Sequence, residues 1–96
     1  MLNFGSMQIE EVLGNRLRLK ILRVLSQIGE LNASEITRRL SANYKTTMKH
    51  LKILEDAGFL QHKKFGRIHL YRFDEKSPRA AVVKRLIEEW ESVEKG

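Results

Sequence analysis

One stretch constrains this chain more than any other: residues 43–73, NYKTTMKHLKILEDAGFLQHKKFGRIHLYRF. Thr47, Leu51, Leu54 and Ala57 fall on one side at the helical interval. Gly58 is placed to end that helix in a left-handed turn. Two short β-forming runs, 60–65 and 68–73, then flank Gly66-Arg67. The pattern predicts a helix over about 44–57, capped by Asn43, that leads directly into a two-stranded hairpin. The helix starts with Tyr44, Lys45, Thr46 and Lys49, and the hairpin tip carries Lys63, Lys64 and Arg67. Base edges need donors and acceptors presented on a thin rod, and phosphates need positive charge beside it. This pairing of elements therefore suits duplex DNA.

The preceding residues supply the support such a helix needs. Apolar residues at 17, 21, 24, 25 and 28 mark an amphipathic helix over RLRLKILRVLSQI, with Asn15 to cap it and Gly29 to end it. A short helix over about 7–13 is expected before it, separated by Gly14. ASEITRRL, capped by Asn32 or Ser34, is predicted as a further helix burying Ile36 and Leu40. Ser41-Ala42-Asn43 is a tight link. Two helices so joined, the second polar at its start, form a helix-turn-helix, and a following hairpin makes it winged. Ser77 and Pro78 announce a last helix. The expected fold is mainly α with a small β-hairpin, in the order α-α-α-α-β-β-α.

The charge distribution points the same way. Net charge is +6. Residues 32–73 carry nine basic and three acidic side chains, whereas the flanking segments nearly balance. Basic charge concentrated on one segment is the electrostatic footprint of a polyanionic partner. A merely soluble basic surface is the competing reading.

Length and composition bound the alternatives. At 96 residues a single domain is expected over 7–96. Gly5-Ser6-Met7 reads as a cloning scar, so residues 1–6 are treated as a leader with no functional weight. No apolar run approaches the roughly 20 residues of a membrane span, and no signal-peptide pattern is present. A cytoplasmic, nucleoid-associated location is expected. Without cysteine there is no disulfide framework, thiolate metal site or thiol switch. No nucleophile elbow, Gly-rich phosphate loop or paired His-and-carboxylate spacing suggests an enzyme.

The segments VLGNRLRLKILRVL, SEITRRL, TTMKHLKILEDAGFL and GRIHLYRF together resemble the ArsR-like winged-helix regulators, over about residues 12–73 and more loosely to 93. HLKILEDAGFL is the most specific of the four and is shared with other winged-helix families. The resemblance implies a transcriptional regulator, a repressor in the first instance, that binds double-stranded DNA without a cofactor. The metal-sensing members' recognition-side cysteine pair has no counterpart here. His50 matches a histidine common in the family's helix and is expected to be partly packed. His62 and His69 face each other across the hairpin in some registers, but two histidines make a weak metal site, so no metal is assigned. No small-molecule effector is legible.

Candidate contacts follow residue by residue. Lys45 and Lys49 suit guanine edges or phosphates; Tyr44 and Thr46 suit phosphate or a thymine methyl. Lys52 lies further back, on the phosphate side. Arg38 and Arg39 lie on the supporting helix, which crosses the DNA backbone. Lys63, Lys64 and Arg67 form the wing tip, with Arg67 suited to the minor groove. Tyr71 and Phe73 are expected in the core. In the last helix, Val83, Leu86, Trp90 and Val93 make a seam too short for a free coiled coil. It can pack within the chain or, as the resemblance implies, form a homodimer interface with the N-terminal helix. The reading is thus a homodimer on an inverted-repeat operator. Two alternatives carry the same fold: an architectural, nucleoid-type DNA binder without sequence preference, and a winged helix used as a protein-interaction module.

Overall fold

Three asparagines set where the main helices begin. The side-chain oxygen of Asn15 accepts from the backbone N–H of Arg18 at 2.9 Å, that of Asn32 from Glu35 at 2.7 Å, and that of Asn43 from Thr46 at 3.0 Å. Each satisfies an amide that a helix start leaves unpaired, and each such cap contributes about 1 kcal/mol. The computed structural model describes residues 7–95; the leader expected at 1–6 lies outside the described residues. The helices are α1 (Ile9–Leu13), α2 (Arg16–Ile28), α3 (Ala33–Arg39), α4 (Tyr44–Asp56) and α5 (Pro78–Lys95). The strands are β1 (Glu30–Asn32), β2 (Leu60–Phe65) and β3 (Ile68–Phe73).

β1 is a correction to the sequence reading, which expected only the hairpin. It pairs antiparallel with β3, Leu31 opposite Tyr71, so the sheet has three strands in the order β1-β3-β2. Three residues between a helix stop and a helix cap carry no periodicity. Their strand character comes from a partner about forty residues away in the chain, which no local pattern encodes. The wing root is consequently stitched to the helix-turn-helix rather than hanging from one end of it.

The turn between α3 and α4 fixes their crossing. Ala42 N–H donates to the Thr37 carbonyl and Ser41 N–H to that of Arg38. This double bond pattern closes a helix with one left-handed residue, here Ser41 at φ 50°. The same pattern ends α4: Phe59 N–H reaches Leu54, Gly58 N–H reaches Glu55, and Gly58 has φ 85°. Glycine holds that conformation without steric cost. It reverses the chain so that Phe59 enters the core and β2 begins at once.

A single core joins the layers. Ile21, Leu22 and Leu25 of α2 meet Ile36 of α3, Leu51 and Leu54 of α4, Tyr71 and Phe73 of β3, and Ala80, Val83 and Ile87 of α5. Thr47 is fully buried among them, with its hydroxyl donating to the Asn43 carbonyl at 2.9 Å, which removes the cost of burying it. Met48 is half-buried against the same core. Val83 is also part of this core, at 9% exposure. The outward stripe of α5 is instead Val82, Leu86, Trp90 and Val93, at 54%, 48%, 66% and 79% exposure. The 83-86-90-93 seam thus lies along the border of the buried side, covered at Val83 and uncovered at Leu86, Trp90 and Val93. Because α5 has apolar residues on both sides of that border, spacing alone could not separate them. No helix among the described residues is long and apolar enough to cross a membrane.

Candidate nucleic-acid interface

Burial of Thr47, Leu51 and Leu54 turns the opposite side of α4 outward. Lys45, Thr46 and Lys49 are exposed there, and Tyr44, one turn above Thr47, is exposed at the same end, where the helix dipole is positive. Lys45 and Lys49 form no ion pair among the described residues, and the same holds for Lys63, Lys64 and Arg67 of the wing. Five cations without internal partners, split between a helix end and a hairpin tip, leave a positive surface for an outside anion.

The remaining predicted contacts sit differently. Arg38 is bound by both oxygens of Glu35, and Arg39 reaches the same carboxylate at 3.0 Å. The guanidinium of Arg38 beside it, then that of Arg39, holds the Glu35 carboxyl below the usual range. Lys52 pairs with Asp56 at 3.0 Å, one turn on. The hydrogen bond it donates to that carboxylate raises the lysine above its ordinary value. Both pairs are solvent-exposed and thus weak. Arg38 and Lys52 can still meet a phosphate, but only by sharing or releasing a carboxylate, so their net contribution is smaller than that of the unpaired lysines.

A chain of ring contacts sets the wing against α4. The Nδ1–H of His62 donates to the Glu55 carboxylate at 3.2 Å, and its Nε2 lies 2.8 Å from Nδ1 of His69. Because the carboxylate can only accept, a neutral His62 must be protonated on Nδ1 and must accept from His69 through Nε2. His62 also stacks on Tyr71, ring centres 4.4 Å apart and planes 11° from parallel. Burial, with the charge of Glu55 and the Tyr44 ring nearby, pushes the Tyr71 hydroxyl up to about 12. The two histidines do meet, diagonally, since the register sets His62 opposite Tyr71 and His69 opposite Lys64. The sequence reading missed Glu55 as the carboxylate behind them. Its position seven residues before His62 signals nothing until the Gly58 turn folds the strand back. Among the described residues no group of three or more His, Cys, Asp or Glu is disposed to hold a metal ion.

A second unforeseen support is Arg18. Its guanidinium donates to the Glu11 carbonyl at 2.9 and 3.2 Å and to Nδ1 of His50 at 3.0 Å. It thereby ties α1 and α2 to the middle of α4. Arginine has no acceptor, so the arrangement requires neutral His50 with its proton on Nε2. Burial, then the charges of Arg18 and Lys49, hold His50 below its ordinary value. The folded protein thus binds fewer protons here than the unfolded chain does in the mildly acidic range, and stability falls as pH drops through the ordinary histidine value of about 6.5. Denaturant melts of wild type and His50→Gln at pH 7.5 and pH 5 check this: the wild type is expected to lose more stability on acidification than the variant.

Comparison with known proteins identifies the arrangement. The family model described as "Bacterial regulatory protein, arsR family" matches residues 15–62, from the α2 cap through the first half of β2. The HTH-type transcriptional regulator YuzN of Bacillus subtilis (strain 168) is 33% identical over 88 residues, covering 85% of this chain and 90% of that protein. The arsenical resistance operon repressor of Escherichia coli (strain K12) is 30% identical over 83 residues, covering 86% and 70%. Among solved structures, the homodimeric winged helix-turn-helix DNA-binding domain Mb0332 (fragment 1–100) of Mycobacterium bovis superposes with a TM-score of 0.67 at 27% identity, over 88% of this chain and 73% of that one. The chain belongs to the arsR family of bacterial regulatory proteins, transcriptional regulators with a DNA-binding winged helix-turn-helix rather than enzymes.

Proposed function

We propose that this regulator is a homodimeric repressor that binds an inverted-repeat operator, with α4 of each subunit in a major groove and each wing alongside. The observation that carries the reading is that Lys45 and Lys49 are exposed and without an ion pair among the described residues, on a helix whose other side is locked into the core. Lys45 and Lys49 would meet guanine edges or phosphate, Tyr44 and Thr46 phosphate or a thymine methyl, and Lys63, Lys64 and Arg67 the flanking backbone and minor groove. Arg38 and Lys52 would add phosphate contacts at the rim. The protein would act in the cytoplasm, at the nucleoid.

Two relatives support the finer points. The Escherichia coli protein is a repressor, and the Mycobacterium bovis domain is homodimeric. The apolar stripe Leu86, Trp90 and Val93, with Val82 beside it and Ile9 exposed on α1, gives this chain a surface of the kind a dimer buries. The arsenical trigger does not carry over by thiolate chemistry, because the chain has no cysteine.

Selection of bound duplexes from a random-sequence pool tests the proposal. A two-fold symmetric consensus is expected, with half-site centres roughly 34 Å apart along the helix axis. The selected duplex should be preferred over random DNA by at least ~10³-fold at physiological salt. A pool that stays random despite binding would identify a sequence-blind architectural protein and end the operator reading.

A further inference from the structure

The wing carries a feature that its positive charge does not explain. Phe65 ends β2 and Ile68 begins β3, and they lie directly opposite one another across the Gly66-Arg67 turn. Phe65 is 60% exposed and Ile68 52%. Successive strand residues alternate between faces, so this pair lies on the same face as Lys63 and the half-buried Leu70, away from the side where Tyr71 and Leu60 enter the core. The hairpin therefore ends in an apolar knob made of an aromatic and a β-branched side chain. Lys63 shares its face and Arg67 sits in the turn beside it, while Lys64 points from the opposite face of the same tip with His69; all three cations are exposed and none is in an ion pair among the described residues. Residues 60–73 contain no acidic side chain.

A cross-strand pair of this kind helps hold a hairpin end together. That alone does not account for its company. An apolar knob flanked by Lys63 and Arg67, on two strands that carry no acidic side chain, complements a surface that is anionic at its edges and apolar within. The minor groove of duplex DNA has that character, with phosphates along both walls and base steps that can unstack at its floor. Proteins that bend DNA press Phe, Leu, Ile or Met side chains between such steps. The wing's position is also fixed relative to α4, through the Glu55–His62–His69 contacts, so a knob at its tip has a defined reach from the recognition helix.

We infer that Phe65 and Ile68 form an apolar wedge that enters the minor groove beside the site read by α4, opens a base step and bends the duplex, while Lys63, Lys64 and Arg67 hold the flanking phosphates. This rests on the DNA-binding reading above. It adds a specificity that α4 does not supply, since pyrimidine–purine steps such as TA and CA unstack most easily and would be favoured where the wing lands.

The test uses the full chain and a duplex recovered by random-pool selection, end-labelled with a fluorescence-transfer pair to read its end-to-end distance. The wild type is expected to shorten that distance on binding. Phe65→Thr/Ile68→Thr keeps β-branched side chains at the tip and leaves α4 untouched. It is expected to retain affinity to within about tenfold while losing the bend and the preference for a flexible step at the wing position. Phe65→Leu, which keeps the knob apolar, should retain both. Backbone NMR shifts of β2 and β3 establish that the hairpin is intact in each variant, and Phe65→Thr alone replaces the double variant if it frays. Tight binding by a wild type that leaves the duplex straight, or an unchanged bend in an intact Phe65→Thr/Ile68→Thr hairpin, overturns the wedge and leaves DNA binding standing. Failure of the wild type to bind any duplex removes both. Loss of wild-type binding to vesicles of anionic lipid in the variant, with the DNA bend unchanged, would assign the knob to a membrane surface and likewise overturn the proposal.

Discussion

Replacing Lys45 and Lys49 together by glutamate is expected to weaken duplex binding at least about a thousandfold at 0.1 M salt while leaving the fold intact. Both ammonium groups are exposed and make no ion pair among the described residues, so reversing their charge breaks no salt bridge there. Stability should stay within about 0.5 kcal/mol of wild type, as for surface changes away from structural features. The loss in binding has two parts. Two phosphate or base contacts disappear from each subunit, and two negative charges are placed against a polyanion where the helix dipole had favoured it. The salt dependence separates these from a global defect. If each lysine neutralises one phosphate, a dimer loses four, and the slope of log affinity against log salt should flatten by about 3.6. Fluorescence anisotropy of a labelled selected duplex across a salt series measures both quantities. Unchanged affinity, with unchanged slope, would mean that α4 does not face DNA. A winged helix used only to bind another protein would instead show no duplex affinity in the wild type, and its protein binding would survive both substitutions.

The reason this prediction could be framed from sequence is that α4 has one buried side and one polar side. The 47-51-54 spacing fixes which residues face inward, and the rest follow by geometry. The asparagine caps and the glycine after α4 are equally local, because a cap or left-handed turn requires particular residue types at particular positions. What escaped the sequence reading is what depends on distant pairing. β1 is a strand only because β3 lies beside it. Arg18 meets His50 across thirty-two residues, and Glu55 meets His62 only after the chain has reversed at Gly58. The Lys52–Asp56 and Arg38–Glu35 pairs, by contrast, sit at helical spacing and are legible in the sequence; a count of net charge alone does not show that these two cations have partners. The exposure of Phe65 is likewise not legible in its strand, since alternation says which face a residue takes and not whether anything covers it.

Val83 and Val82 illustrate the same limit with a consequence for assembly. The two valines are adjacent in sequence and lie on different sides of α5: Val83 helps close the core, while Val82 begins the stripe that continues through Leu86, Trp90 and Val93. Beside that stripe, Leu13, Leu19, Leu86, Ile87 and Trp90 line a groove of about 450 Å³ between α1, α2 and α5. Arg23 and Gln27 clamp Glu91 at its rim, and the hydrogen bond from Arg23 holds that carboxyl below its ordinary range. Leu86→Glu/Trp90→Glu is therefore expected to convert the protein to a monomer while preserving its thermal transition, because both side chains are largely exposed within one subunit. Val83→Ala should do the reverse, lowering stability by about 1–2 kcal/mol through the lost core contacts and leaving the subunit count unchanged. Sedimentation equilibrium and thermal melts distinguish the two outcomes. The monomerised variant should also bind the selected duplex at least about a hundredfold more weakly, since the second half-site is then no longer engaged within one complex. Its affinity for an isolated half-site should match that of the wild-type subunit, as α4 and the wing are untouched. A glutamate variant that sediments as a dimer would show that α5 does not hold the subunits together. A wild type that sediments as a monomer at every concentration and off DNA would leave the inverted repeat to be read by two chains that meet only on the duplex.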